Sequence, residues 1–344
     1  MVAGVLDAVG EGVAGYFATV KREEFFAYHS AVTRWEIDHY LTAFCIVTSR
    51  RRQAMCGIVG LHLRAPELYP RLGELLTGML CEMGDRGSDS AGVAVYGDRV
   101  LSPPGQGCVS VLEVVPTAED IGLEVNVTRH ADTYLLTADV SSAELLDAVK
   151  TAYPKVLIAG FGSDMAVFKG VGHPRTLTDA WGLAKAQGWQ GVGHTRMATE
   201  SAVTPAGCHP YAVGPEQCMV HNGSFANHAT IRRELRAAGV QFDSENDTEV
   251  GARFIAEQLA DGRDVEGALK ELCAVFDGFY TMLVSNRDSF AVVRDAIACK
   301  PAVIAESADW VAMGSDYRAL AGLPGVETAK IWEPEPEVIY AWSR

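Results

Sequence analysis

The eight cysteines of this 344-residue chain form no Cys-x-x-Cys pair, so the usual zinc and iron–sulfur spacings are missing. Thiols at 45, 81, 108, 208, 218, 273 and 299 read as small buried hydrophobes in a reducing, cytoplasmic compartment. Positive charge is scarce: 29 Lys and Arg stand against 44 Asp and Glu, a net charge of −15. Such a surface repels phosphate backbones, which argues against a nucleic-acid partner. No apolar run reaches the ~18–20 residues of a membrane span. The N-terminus carries Asp7 and Glu11 without a basic flank, unlike a signal peptide. There is no internal repeat and no low-complexity tract. No Gly-x-Gly-x-x-Gly or Gly-x-x-x-x-Gly-Lys loop stands between a strand and a helix; Gly160-Phe161-Gly162 reads as a turn.

What is present suffices for a large core: 48% of residues are hydrophobic, enough for one or two domains. Residues 1–55 differ from the rest. Phe25, Tyr28, Val32 and Trp35 recur at helical spacing, and a polar, basic stretch from Ser49 to Ala54 closes the segment as a loop. From Cys56 on, the pattern mixes strand and helix. Strands are predicted over 56–63, from the turn at 87 to 96, and over 155–160, 189–195, 217–221, 279–284, 290–294 and 338–342. Pro66 opens a helix with Leu68, Leu72, Leu75, Met79 and Met83 on one face. Ser142 starts a short helix, Asn227 caps one ending at Gly239, and 248–259 and 265–276 are helical. Strands cluster without regular βαβ alternation. That favours stacked, largely antiparallel sheets covered by helices over a doubly wound sheet.

Cys56 follows Met55 and opens the run Cys56-Gly57-Ile58-Val59-Gly60. If Met55 is the first residue and is removed, thiol and free α-amine sit on one residue. A terminal amine has a pKa near 8 (~7.7–8.0), so part of it can take the thiol proton at neutral pH. Four further polar clusters follow: 86–92 (Arg-Gly-Ser-Asp-Ser-Ala-Gly), 193–199 (Gly-His-Thr-Arg-Met-Ala-Thr), His221-Asn222-Gly223, and Asn246-Asp247-Thr248-Glu249. Each is predicted at a strand end or in a loop before a helix. Singly they are bland. Asn-Gly is a hairpin-turn signal, Asp247 reads as a helix cap, and a lone His194 or His221 reads as a hydrogen-bonded core residue.

Together and in this order, the five clusters resemble the class II glutamine amidotransferases, whose glutaminase domain is an N-terminal-nucleophile hydrolase. The resemblance runs from Cys56 to about Leu320. It implies an α+β fold: a four-layer αββα sandwich of two largely antiparallel sheets with an inserted subdomain at about 100–185. It implies that Cys56 attacks the glutamine side-chain amide with its own α-amine as base, and that Asn222 and the Gly223 N–H hold the oxyanion. It further implies substrate contacts by Arg196 (α-carboxylate), Asp247 (α-ammonium), Thr199 and His209, and supporting roles for Arg86, Asp89 and Ser90. No metal is implied. Two departures stand out. Ala206-Gly207-Cys208-His209-Pro210 replaces a segment that begins with Asn in glucosamine-phosphate synthase, and Met197 replaces a tryptophan.

Three finer segments are similar to the stand-alone amidotransferase subunit of N-methylglutamate synthase and its glutamate-synthase-like relatives: 193–203, 295–302 and 332–336. That likeness implies ammonia passed to a partner synthase subunit carrying flavin and iron–sulfur, with no cofactor in this chain. Residues 1–55 are then a mis-assigned start, a propeptide or a retained extension. A retained extension would block the amine and leave a catalytically silent, glutamine-binding subunit. A hydrolase for a different amide is the other rival.

Overall fold

The computed structural model describes residues 56–197 and 203–344; the helix expected around Phe25 to Trp35, Cys45 and Thr199 lie outside them. Every ladder among the described strands is antiparallel. The larger sheet has the order β14 (Lys330–Trp332), β12 (Val303–Glu306), β13 (Trp310–Gly314), β1 (Gly57–Leu63), β8 (Gln190–Arg196), β2 (Ser90–Tyr96), β7 (Met165–Val171). The second has the order β15 (Tyr340–Ser343), β11 (Ser289–Arg294), β10 (Gly278–Ser285), β9 (Cys218–Phe225). A third joins β4 (Asn126–His130), β5 (Thr133–Ala138), β3 (Gly107–Leu112) and β6 (Leu157–Gly162).

Alternation along the strands assigns the layers. In β1, Val59, Leu61 and Leu63 pack with Leu72, Leu76 and Met79 of α1 (Leu72–Glu82), while Ile58 joins the layer between the sheets. Both faces of β1 are covered, so the strand is apolar almost throughout. The inner layer interdigitates Ile58, Val192, Val220, Leu283, Phe290 and Met313. On the far side of the second sheet, Met219, Met282 and Val293 meet α5 (His228–Ala237), α6 (Asp247–Ala260) and α7 (Val265–Val275). Helix, sheet, sheet, helix is the expected four-layer order. The third sheet has a core of its own with α2 (Ala118–Ile121) and α3 (Ser142–Ala152), built on Val109, Val111, Leu136, Leu145 and Val149. α4 (Pro174–Trp181) returns the chain to the outer face of the large sheet through Leu177 and Trp181.

Several local expectations change. The helix predicted from Pro66 is a 3-10 turn over Pro66–Arg71, with Pro70 inside it, followed by α1. A proline nitrogen cannot donate to an α-helical ladder, so the regular helix starts beyond it. Gly160-Phe161-Gly162 lies inside β6, paired with β3, rather than in a turn. Asn227 precedes α5, but its carboxamide bonds Val275 O (2.8 Å) and Asp277 N (3.0 Å) instead of capping. Cys299 is exposed, unlike the buried thiols at 108, 208 and 218. No helix among the described residues is long and apolar enough to cross a membrane.

Candidate active site

The clusters converge where β1 and β2 begin and β8 ends. Antiparallel pairing sets Gly57 opposite Thr195 and Ser90 opposite Arg196. This brings Cys56, the 86–90 loop and Arg196 to one edge of the large sheet. Asp89 N–H donates to Arg196 O (3.0 Å), and the Arg86 guanidinium donates to Cys56 O (3.4 Å). The second sheet delivers Asn222 and Gly223 from across the interface.

The backbone of Cys56 is pinned from two sides, because Asn222 Nδ2 also donates to Cys56 O (2.9 Å). Ser315 was not anticipated and completes the frame. Its hydroxyl accepts from Ile58 N–H (2.9 Å) and Asn222 Nδ2 (3.3 Å), and its own N–H donates to Ile58 O (2.9 Å). A lone serine after a short strand carries no sequence signal for that role.

His221-Asn222-Gly223 does not form a strand end or hairpin turn; β9 runs through it to Phe225. Gly223 has φ +137, and a Cβ there would lie 1.9 Å from Phe279 O. Only glycine has neither the φ penalty nor the clash. Asp247 is not the helix cap either. Asn246 caps α6, accepting from Thr248 N–H (2.8 Å), and Asp247 opens the helix with Oδ2 held by Phe225 N–H (2.9 Å). Its carboxylate therefore sits at the positive end of the helix dipole and is tied to the strand carrying Gly223.

Burial pushes the Cys56 thiol above its ordinary value, against the opposing charges of Arg196 and Lys300. The thiol donates to Met197 O at 3.9 Å, and no described imidazole or carboxylate accepts its proton. With Cys56 inside a peptide, the thiol thus lacks a base and stays protonated at neutral pH.

Arg196 is buried, with its guanidinium beside Gly207. His209 was expected at the substrate, but both its ring nitrogens are engaged internally. Nδ1 meets His194 Nε2 (3.0 Å) and Nε2 meets Thr248 Oγ1 (2.9 Å). His194 Nε2 also meets Asn222 Oδ1 (3.2 Å), and His221 Nδ1 meets Thr248 Oγ1 (2.9 Å). Burial lowers all three imidazoles: His194 to about 3, His221 to about 4 and His209 well below its ordinary value. They are neutral at pH 7. Among the described residues, no group of three or more His, Cys, Asp or Glu could hold a metal ion.

Several known proteins resemble this chain. A family model described as a glutamine amidotransferase domain matches residues 194–322. The glutamine amidotransferase-like protein GlxB of Rhizobium meliloti (strain 1021) is 44% identical over 299 residues, 84% of this chain and 98% of that protein. The glutamine–fructose-6-phosphate aminotransferase (isomerizing) of Mycobacterium bovis is 35% identical over 137 residues, 38% of this chain and 22% of that protein. The solved glutamine phosphoribosylpyrophosphate amidotransferase of B. subtilis aligns over 84% of this chain with TM-score 0.54 at 17% identity, a likeness of fold. The chain spans 49% of that structure's length.

Proposed function

From the premise that the chain belongs to the glutamine amidotransferase family, we propose that it hydrolyses the side-chain amide of L-glutamine through Cys56 as an N-terminal nucleophile. The α-amine takes the Sγ proton, and the thiolate attacks the amide carbon. Asn222 Nδ2 and the Gly223 N–H receive the developing oxyanion; losing one such donor typically costs ~100–1000-fold in rate. The protonated amine then gives its proton to the departing nitrogen, which leaves as ammonia, and water cleaves the thioester to release glutamate. Arg196 pairs with the substrate α-carboxylate, for which its planar fork is suited, and Asp247 with the α-ammonium. Thr199 is assigned to the same substrate. Arg86, Asp89 and Ser90 order the loop beside the cysteine.

The observation that carries this reading is the convergence on Cys56 of Asn222, Arg86 and the Arg196 strand, with a raised thiol whose proton no imidazole or carboxylate among the described residues accepts. Free ammonia would protonate and escape, so a separate glutamate-synthase-like or N-methylglutamate-synthase subunit, carrying flavin and iron–sulfur, is its proposed acceptor. Two segments supporting that assignment adjoin: the Arg294 guanidinium donates to both Ala298 O and Pro334 O.

The test is glutamine turnover by Cys56→Ala. Loss of ammonia release with an unchanged unfolding midpoint is expected; surviving turnover removes the nucleophile assignment. The glutamine analogue DON should label Cys56 ahead of the other seven thiols. Labelling spread over several thiols would argue against a specific site.

A further inference from the structure

Three buried imidazoles and a threonine lie behind the proposed oxyanion donor, and the mechanism above uses none of them. Their proton order can be worked out from one fixed point. Cys56 O can only accept, so the group facing it at 2.9 Å is the Asn222 NH2. Oδ1 of Asn222 therefore faces His194 Nε2 at 3.2 Å, and that nitrogen must carry the proton. His209 Nδ1 lies 3.0 Å from the same nitrogen and must accept, because two N–H groups cannot point at each other. A neutral His209 then carries its proton on Nε2 and donates it to Thr248 Oγ1 (2.9 Å). The Thr248 hydroxyl can donate to His221 Nδ1 (2.9 Å) or accept a second bond from it, so His221 takes no part in fixing the order. Between Asn222 and Thr248, reversing any link sets donor against donor or acceptor against acceptor, or strips His209 of its proton.

We propose that Thr248, His209 and His194 form a directional hydrogen-bond chain that locks the carboxamide of Asn222 with its NH2 toward Cys56. They are positioning residues. Flipping the carboxamide would set Oδ1 against Cys56 O and the NH2 against the His194 N–H, two unfavourable contacts in a buried setting. It would also turn an acceptor toward the oxyanion. The chain begins at Thr248, next to Asp247, whose carboxylate is tied to Phe225; that ring stacks on His221 at 4.4 Å. The Thr248 end of the chain thus lies beside the residue proposed to hold the substrate ammonium. The catalytic part of this inference rests on the function proposed above, whereas the proton order does not.

Two measurements on the full chain test it. In protein labelled with 15N-histidine, the imidazole nitrogen shifts at pH 7 should report neutral rings protonated on Nε2 at His194 and His209. A proton on Nδ1 of His194 or His209 overturns the chain. In the enzyme, Thr248→Val removes the hydroxyl at nearly constant shape and Thr248→Ser restores it. Thr248→Val should lower kcat for glutamine at least roughly tenfold, short of the ~100–1000-fold of outright donor loss, while KM moves less than about twofold. Thr248→Ser should recover most of the rate. A Thr248→Val enzyme with wild-type kcat, beside an Asn222→Ala enzyme that has lost its activity, overturns the positioning role. If Asn222→Ala keeps full activity or the wild type hydrolyses no glutamine, the function reading fails, and the nitrogen shifts still decide the proton order.

Discussion

Arg196 and Gly223 show how much one residue contributes here. Arg196 is buried at the end of β8, where a guanidinium would pair with both oxygens of a carboxylate. Arg196→Lys keeps the charge and loses the fork, so KM for glutamine should rise about tenfold with a smaller effect on kcat. An unchanged KM in steady-state assays would place the carboxylate elsewhere. Gly223→Ala introduces a Cβ at φ +137 and 1.9 Å from Phe279 O. Strain of this kind costs on the order of 1–3 kcal/mol before the clash is counted, which a lowered urea midpoint should register. At this scale the sequence is informative where polar residues cluster in a recognisable order. Cys56, Arg196, Asn222, Gly223 and Asp247 could all be picked out as candidates. Ser315 and the engagement of both His209 nitrogens could not, because each depends on which distant residue lies opposite.

Elements meet closely across the sandwich. Gly60 in β1 faces the second sheet, and a Cβ there would lie 2.3 Å from Leu283 Cδ1 and 2.6 Å from Phe290 Cε2. Gly60→Val should therefore force the sheets apart and destabilise the fold by about 1–3 kcal/mol, as overpacking does. An unchanged denaturation midpoint would show that the two side chains can move aside. Strands β1, β2, β8, β10 and β11 and helices α6 and α7 are readable because burial imprints periodicities of 2 and 3.6 on them. β3, β4, β5 and β7 are not, and neither are β12, β13 and β14, short strands of 4, 5 and 3 residues. β9 was clipped at His221 because Asn-Gly is normally a turn, and here the left-handed glycine sits within a ladder instead.

The whole molecule carries its buried imidazoles as a pH liability. An unfolded histidine titrates near ~6.5. In the folded state burial holds His194 at about 3 and His221 at about 4, with His209 also lowered. Between those values the unfolded chain binds more protons than the folded one. The stabilisation is thus complete above the unfolded pKa and is lost as pH falls toward the folded values. Urea midpoints should fall from pH 7 to pH 5, and less steeply in His194→Asn than in the wild type. A flat profile would show that these rings titrate in the fold as they do in the unfolded chain.

The proposed catalysis turns on the chemistry of one α-amine. Buried inside a peptide, Cys56 has a raised thiol and no described base. As a first residue it would have its base attached. The decisive measurement is the N-terminal sequence and intact mass of the protein purified from its native host. An N-terminal nucleophile requires a chain beginning at Cys56. A chain in which residues 1–55 still precede it would contradict the N-terminal-nucleophile mechanism and leave a glutamine-binding subunit without hydrolysis.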